Sequence, residues 1–116
     1  MTIARQNRGK LGEDTAVAEL ERRGYAILER RYRTARGEID IIARDGDTLV
    51  FVEVKVRETA ECGTAAEAVT PDKRRRLGCM AADYLARRDI TSQSCRFDVV
   101  AIDAGVVTVY PDAFWL

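Results

Sequence analysis

A chain of 116 residues, 47% hydrophobic and 33% charged, has the composition of a globular protein and is too short for two ordinary domains. Nineteen basic residues offset nineteen acidic ones, which argues against a strongly electrostatic nucleic-acid binder. The sequence contains no histidine, so His-dependent triads, HExxH zinc chemistry and imidazole bases are excluded, and Ser92 and Ser94 have no such partner to activate them.

Any catalysis must therefore use carboxylates, lysine, tyrosine or a metal ion. No segment approaches the roughly 18 uninterrupted apolar residues of a membrane helix, and MTIARQNRGKLGED lacks the pattern of an export signal. A cytoplasmic protein with no membrane association is expected. Cys62, Cys79 and Cys95 form no CxxC pair and are expected as reduced thiols serving as small buried apolar groups. Lys and Arg number 9 against 5 Asp and Glu in residues 1–36, 3 against 9 in residues 37–72, and 7 against 5 in residues 73–116. An acidic centre thus lies between basic flanks, an arrangement that suits a metal-holding site bordered by surfaces for a polyanion.

The first periodic segment is LGEDTAVAELERRGY, where Ala16, Val17 and Leu20 recur at helical intervals and Gly24 supplies a stop, predicting a helix near residues 10–23. Glu13 falls on the same inward stripe, while Asp14, Glu21 and Arg22 face water. YAILERRYR, GEIDIIARD and DTLVFVEVKVR then read as three antiparallel strands in a meander, with DGD as the second turn. RETAECGTAAEAV is less regular and is expected as a loop with some helix. In TPDKRRRLGCMAADYLARRD, Thr70 suits an N-cap, Pro71 the first helical position and Asp72 the positive dipole end. Leu77, Met80, Ala81, Tyr84 and Leu85 form its apolar stripe, with Lys73 on the same side one turn earlier. CRFDVVAID and GVVTVY are two further strands, and PDAFWL reads as a short packed tail. The strand, helix and strand between residues 48 and 102 allow CRFDVVAID to return parallel to the third strand; an all-antiparallel sheet is the alternative.

The second and third strands carry charges where a strand should be apolar. Alternation places Glu38, Asp40 and Ile42 on one face, with Ile39, Ile41 and Ala43 on the other; in the third strand Phe51, Glu53, Lys55 and Arg57 oppose Val50, Val52, Val54 and Val56. A Gly46-Asp47 turn pairs Asp45 with Thr48, Asp40 with Glu53 and Glu38 with Lys55. An Asp45-Gly46 turn slides Glu38 opposite Glu53. Either even loop gathers the four charges on one face, with carboxylates about 5 Å apart, an unfavourable juxtaposition when both are ionised. A hard divalent cation would offset that repulsion, and a lysine two residues after Glu53 would reach a water or phosphate beside it. The competing expectation is a pair of cross-strand ion pairs, Glu38 with Lys55 and Asp40 with Arg57, on a solvated face.

GEIDII followed by FVEVKVR resembles the D...ExK signature of the restriction-endonuclease-like superfamily. With LGEDTAVAELERRGYAIL before it and DKRRRLGCMAADYL, CRFDVVAI and DAF after it, the ordered set resembles the YraN family of small bacterial proteins, predicted nucleases related in fold to archaeal Holliday-junction resolvases. The resemblance implies one restriction-endonuclease-like domain over residues 1–116: an α/β fold whose mixed β-sheet contains the three-strand antiparallel meander, a crossover helix and flanking helices. It implies Asp40, Glu53, the Val54 carbonyl and Glu13 as ligands of Mg²⁺ or Mn²⁺, with Lys55 as the catalytic lysine beside Asp40, Glu53 and Glu13. Arg57, Lys73 and Arg74 become phosphate contacts; Glu38 and Arg96 match the pattern without an assigned role, and Arg31 stands where the family usually has Asn. The implied activity is divalent-metal-dependent cleavage of DNA, including branched or structured DNA, by a homodimer needing no small-molecule cofactor. The alternative is a silent nucleic-acid-binding or protein-adaptor module that keeps the nuclease fold.

Overall fold

The computed structural model describes residues 2–57 and 69–114, with the side chains of residues 2–10 excepted. Within it, α1 (Thr2–Arg22) leads into β1 (Ala26–Thr34), β2 (Gly37–Asp45), β3 (Thr48–Arg57), α2 (Pro71–Arg87), β4 (Cys95–Asp103) and β5 (Val106–Tyr110). The five strands form one sheet in sequential order. β1, β2 and β3 are the expected antiparallel meander, β4 runs parallel to β3, and β5 returns antiparallel to β4. The parallel pair removes the all-antiparallel alternative, because α2 carries the chain back to the end of the sheet at which β3 began. The loop expected over RETAECGTAAEAV, together with Cys62, and the Trp115 end of the tail lie outside the described residues.

Two apolar layers hold the helices to opposite faces. Ala16 and Leu20 of α1 pack with Ile41, Ala43, Val50, Val52, Val100 and Ile102. Leu77, Met80, Ala81 and Tyr84 of α2 pack on the other side with Leu49, Phe51, Phe97, Val99 and Ala101. Both stripes are the ones the helical period predicts, and Thr70 caps α2 by accepting the Lys73 N–H. β3 and β4 therefore alternate between two buried faces and read as nearly continuous apolar runs. α1 begins well before residue 10, the predicted start, and lies close enough to the sheet that a Cβ on Gly12 would collide with Cγ2 of Val56. Only a glycine permits that approach, which brings the neighbouring Glu13 down to the strands.

Two sequence expectations change. Ile39 packs in the α2 layer whereas Ile41 and Ala43 pack in the α1 layer, so the expected alternation breaks at Asp40. Beside this break, on β1, Arg31 adopts a φ of 54° between the residues paired with Ile39 and Ile41. That left-handed conformation suits Asn far better than Arg. Cys79 and Cys95 are free but exposed rather than buried, since Cys79 falls just outside the α2 stripe and Cys95 opens β4.

At the N-terminal end of β4 the sheet is closed by a polar network. The Asp98 side chain is fully buried and accepts hydrogen bonds from Tyr25 Oη at 2.9 Å, Arg96 Nε at 2.9 Å and the Asp112 backbone N–H at 2.9 Å. Arg96 also reaches Asp45 at 2.9 Å and stacks over the Tyr25 ring. Burial, and then the Asp98 hydrogen bond, push the Tyr25 hydroxyl up to about 12. One carboxylate thus joins the end of α1, the β2 and β3 turn, β4 and the tail, whose Phe114 stacks on Phe97 with ring centres 5.1 Å apart. Asp98→Ala leaves the Arg96 guanidinium without its buried partner and is expected to cost about 3–5 kcal/mol in urea unfolding, whereas the exposed, helical Glu21→Ala is expected to leave the midpoint nearly unchanged.

Candidate functional site

The hairpin register places the charged residues. Asp45 pairs with Thr48, so the turn is Gly46-Asp47, with Gly46 at a φ of 61°. The β2 and β3 ladder runs only as far as Ile41 opposite Val52. Beyond that point β2 continues along β1 to Gly37, and β3 continues along β4 to Arg57. The two strands fork, and Asp40 occupies the fork: its carboxylate accepts the Val54 N–H at 2.8 Å, replacing a backbone acceptor.

A cleft of about 360 Å³ opens there, lined by Glu38, Asp40, Glu53, Val54 and Lys55 from the fork, Glu13 from α1, Lys73 from α2, and Arg31 and Val56. Glu13 and Glu53 are 7% and 8% exposed. Each carboxylate has its own protein partner. Glu13 is gripped by Arg30 Nε at 2.7 Å and Arg31 Nε at 2.8 Å, Glu53 is paired with the Lys73 ammonium, and Glu38 lies 3.4 Å from Arg33. Lys55 is exposed and makes no hydrogen bond or ion pair with any described residue. A larger cleft of about 590 Å³ lies at the other end of the strands, beside Arg96, Cys95 and Phe114. It borders the Asp98 network, in which Arg96 is already committed to carboxylates, so the fork is the stronger site.

The expected cross-strand pairs do not form. Arg57 pairs with Asp103 at 2.5 Å, its side chain is only 8% exposed, and it does not line the cleft; it ties β3 to β4 instead. Arg74 is held back by the Val69 carbonyl at 3.0 Å and lies over the Phe114 ring. Of the three residues expected at phosphate, only Lys73 lines the fork. Arg31, which also lines the cleft, was assigned no such place by spacing, because its left-handed backbone leaves no mark in the strand pattern.

Among the described residues, no three Asp, Glu, His or Cys side chains converge as a metal cluster. The donor chemistry nevertheless fits a hard divalent cation, because the acidic residues Asp40, Glu53 and Glu13 line one cleft together with Val54. The electrostatics fit as well. Burial, and next the Glu53 charge, push the Asp40 carboxyl up to about 7, against the partial help of the Val54 N–H and Lys73. A bound cation would favour the ionised Asp40 against both effects.

Asp40 is easier to protonate folded than unfolded, so its contribution to stability is fully present below its unfolded pKa and is lost as pH rises through about 7. Metal-free protein should lose roughly 2–3 kcal/mol of stability between about pH 5 and pH 8 from this group. Asp40→Asn should flatten that part of a thermal-denaturation profile; an unchanged slope would place the cause elsewhere.

The family model described as "Uncharacterised protein family UPF0102" matches residues 12–102, from the α1 glycine through β4. A UPF0102 protein of Moorella thermoacetica is 50% identical over 102 residues, covering 88% of this chain and 85% of the relative. One from Syntrophus aciditrophicus is 54% identical over 94 residues, 81% of this chain and 74% of its own length. Another from Herminiimonas arsenicoxydans is 50% identical over 101 residues, 87% of this chain and 81% of its own. The matched span contains the second half of α1, all of α2, the fork and every residue lining its cleft, and the chain belongs to the UPF0102 family.

Proposed function

We propose that this protein is a divalent-metal-dependent endonuclease of the restriction-endonuclease-like superfamily, acting on DNA, with branched or structured DNA as the favoured class. The observation that carries the reading is the fork: Asp40, held high in pKa by burial and by Glu53, shares one cleft with Glu13, Glu53 and the exposed Lys55. A Mg²⁺ or Mn²⁺ ion bound by Asp40, Glu53, Glu13 and the Val54 carbonyl would supply Lewis acidity toward a phosphodiester and an attacking water. Lys55 projects into the same cleft, where its ammonium orients a water and stabilises charge developing on phosphate. The exposed Arg33, Arg36, Arg75 and Arg76 beside this end of the fold supply sequence-independent attraction to a phosphate backbone. Two symmetric cuts in a branched substrate call for two copies of the site, so a homodimer belongs to this reading.

The ion pairs of Glu53 and Glu13 favour one second reading, a nucleic-acid-binding or adaptor module in which those carboxylates tie helices to strands. A cleavage panel of linear, flapped and four-way DNA with Mg²⁺ or Mn²⁺ separates the two. The nuclease reading expects metal-dependent products that fall about 100-fold or more in Lys55→Ala and vanish with chelator. Binding without cleavage across the panel supports the module instead.

A further inference from the structure

We propose that Lys73 is an exchangeable counterion of the fork: it occupies Glu53 when no metal is present, and a divalent cation drives it off the carboxylate toward phosphate. This rests on the metal-dependent reading above. The three acidic groups are neutralised in physically different ways. Glu13 is held by two guanidiniums from adjacent positions of β1, and Asp40 by a backbone N–H that cannot leave without breaking the fork. Glu53 alone is paired to a lysine, and that lysine comes from another element, the first turn of α2. Its side chain is 36% exposed, with a flexible stem and a compact, strongly hydrated charge, so it can turn to solvent at little cost. Glu53 is 8% exposed and cannot follow it.

An ammonium and a divalent cation brought to the same Glu53 carboxylate repel one another, the more strongly because that carboxylate is only 8% exposed. The two are therefore competitors for one carboxylate. Once displaced, Lys73 stands at the mouth of the cleft on the N-terminal turn of α2, free to meet a phosphate. Metal and nucleic acid should consequently tighten one another's binding, since linkage is reciprocal. Lys73 would then act as a positioning residue that couples the two ligands.

The test is isothermal titration of Mn²⁺ into wild type, Lys73→Gln and Asp40→Asn, each with and without a short DNA duplex and each verified as folded by circular dichroism. Lys73→Gln is expected to bind Mn²⁺ on the order of tenfold more tightly than wild type and to lose the mutual tightening between Mn²⁺ and DNA. Equal or weaker Mn²⁺ binding by Lys73→Gln, with binding lost in Asp40→Asn, overturns the counterion role and leaves the metal site standing. No Mn²⁺ binding by wild type overturns both. A second measurement needs no substitution at Lys73: the chain has only three lysines, Lys10, Lys55 and Lys73, so reductive ¹³C-methylation gives a small set of signals. Mg²⁺ should move the Lys73 signal toward that of a solvated amine, and an unmoved signal at saturating Mg²⁺ overturns the displacement.

Discussion

One hydrogen bond decides where this protein can place charge. The Asp40 carboxylate accepts the Val54 N–H at the point where β2 and β3 stop pairing, so a side chain completes what the backbone ladder no longer can. A sheet covered on both faces has no room for unpaired polar groups within it. At the fork, strands part, and the gap between them admits Asp40, Glu53 and Lys55 without opening either apolar layer. The surrounding elements follow from the same constraint: Gly12 lets α1 approach closely enough to contribute Glu13, and the capped first turn of α2 brings Lys73 from the opposite side.

The two ends of the central strands differ in kind. At one end Asp98 is buried and fully supplied with donors by Tyr25, Arg96 and the tail, an arrangement in which every polar group is satisfied and rigidity results. At the other end the carboxylates are held by more exposed side chains, and Asp40 is raised in pKa first by burial and then by the Glu53 charge, which its partners do not fully offset. Stability is concentrated where the network is closed, and chemical potential for a ligand where it is not. Arg57 belongs to the first kind despite its position in the charged strand, since its guanidinium is committed to Asp103.

Much of this was legible in the sequence because it depends on local periodicity. Helical spacing identified the inward faces of both helices, including Glu13; Thr70 and Pro71 marked the start of α2; and the DGD turn left two registers, both even, that collect Glu38, Asp40, Glu53 and Lys55. The parity argument holds only while strands stay regular. It misplaced Ile39 because the alternation breaks at Asp40, beside the left-handed Arg31, and spacing alone carries no sign of such a break. Burial of Cys79 and Cys95 failed for a related reason: residue type states a preference, while the helix stripe and the strand's first position set the exposure.

By itself the sequence determined the elements, the antiparallel meander, the α2 cap and the set of charges that must share one side of a hairpin, because each follows from contacts within a turn or between adjacent strands. Only the tertiary structure decided which cation answers which anion. Arg30 and Arg31 reach Glu13 across 17 and 18 residues, Lys73 reaches Glu53 from another helix, and Arg57 turns away to Asp103. Those pairings depend on how two helices seat against opposite faces of a forked sheet, and no local pattern records that distance.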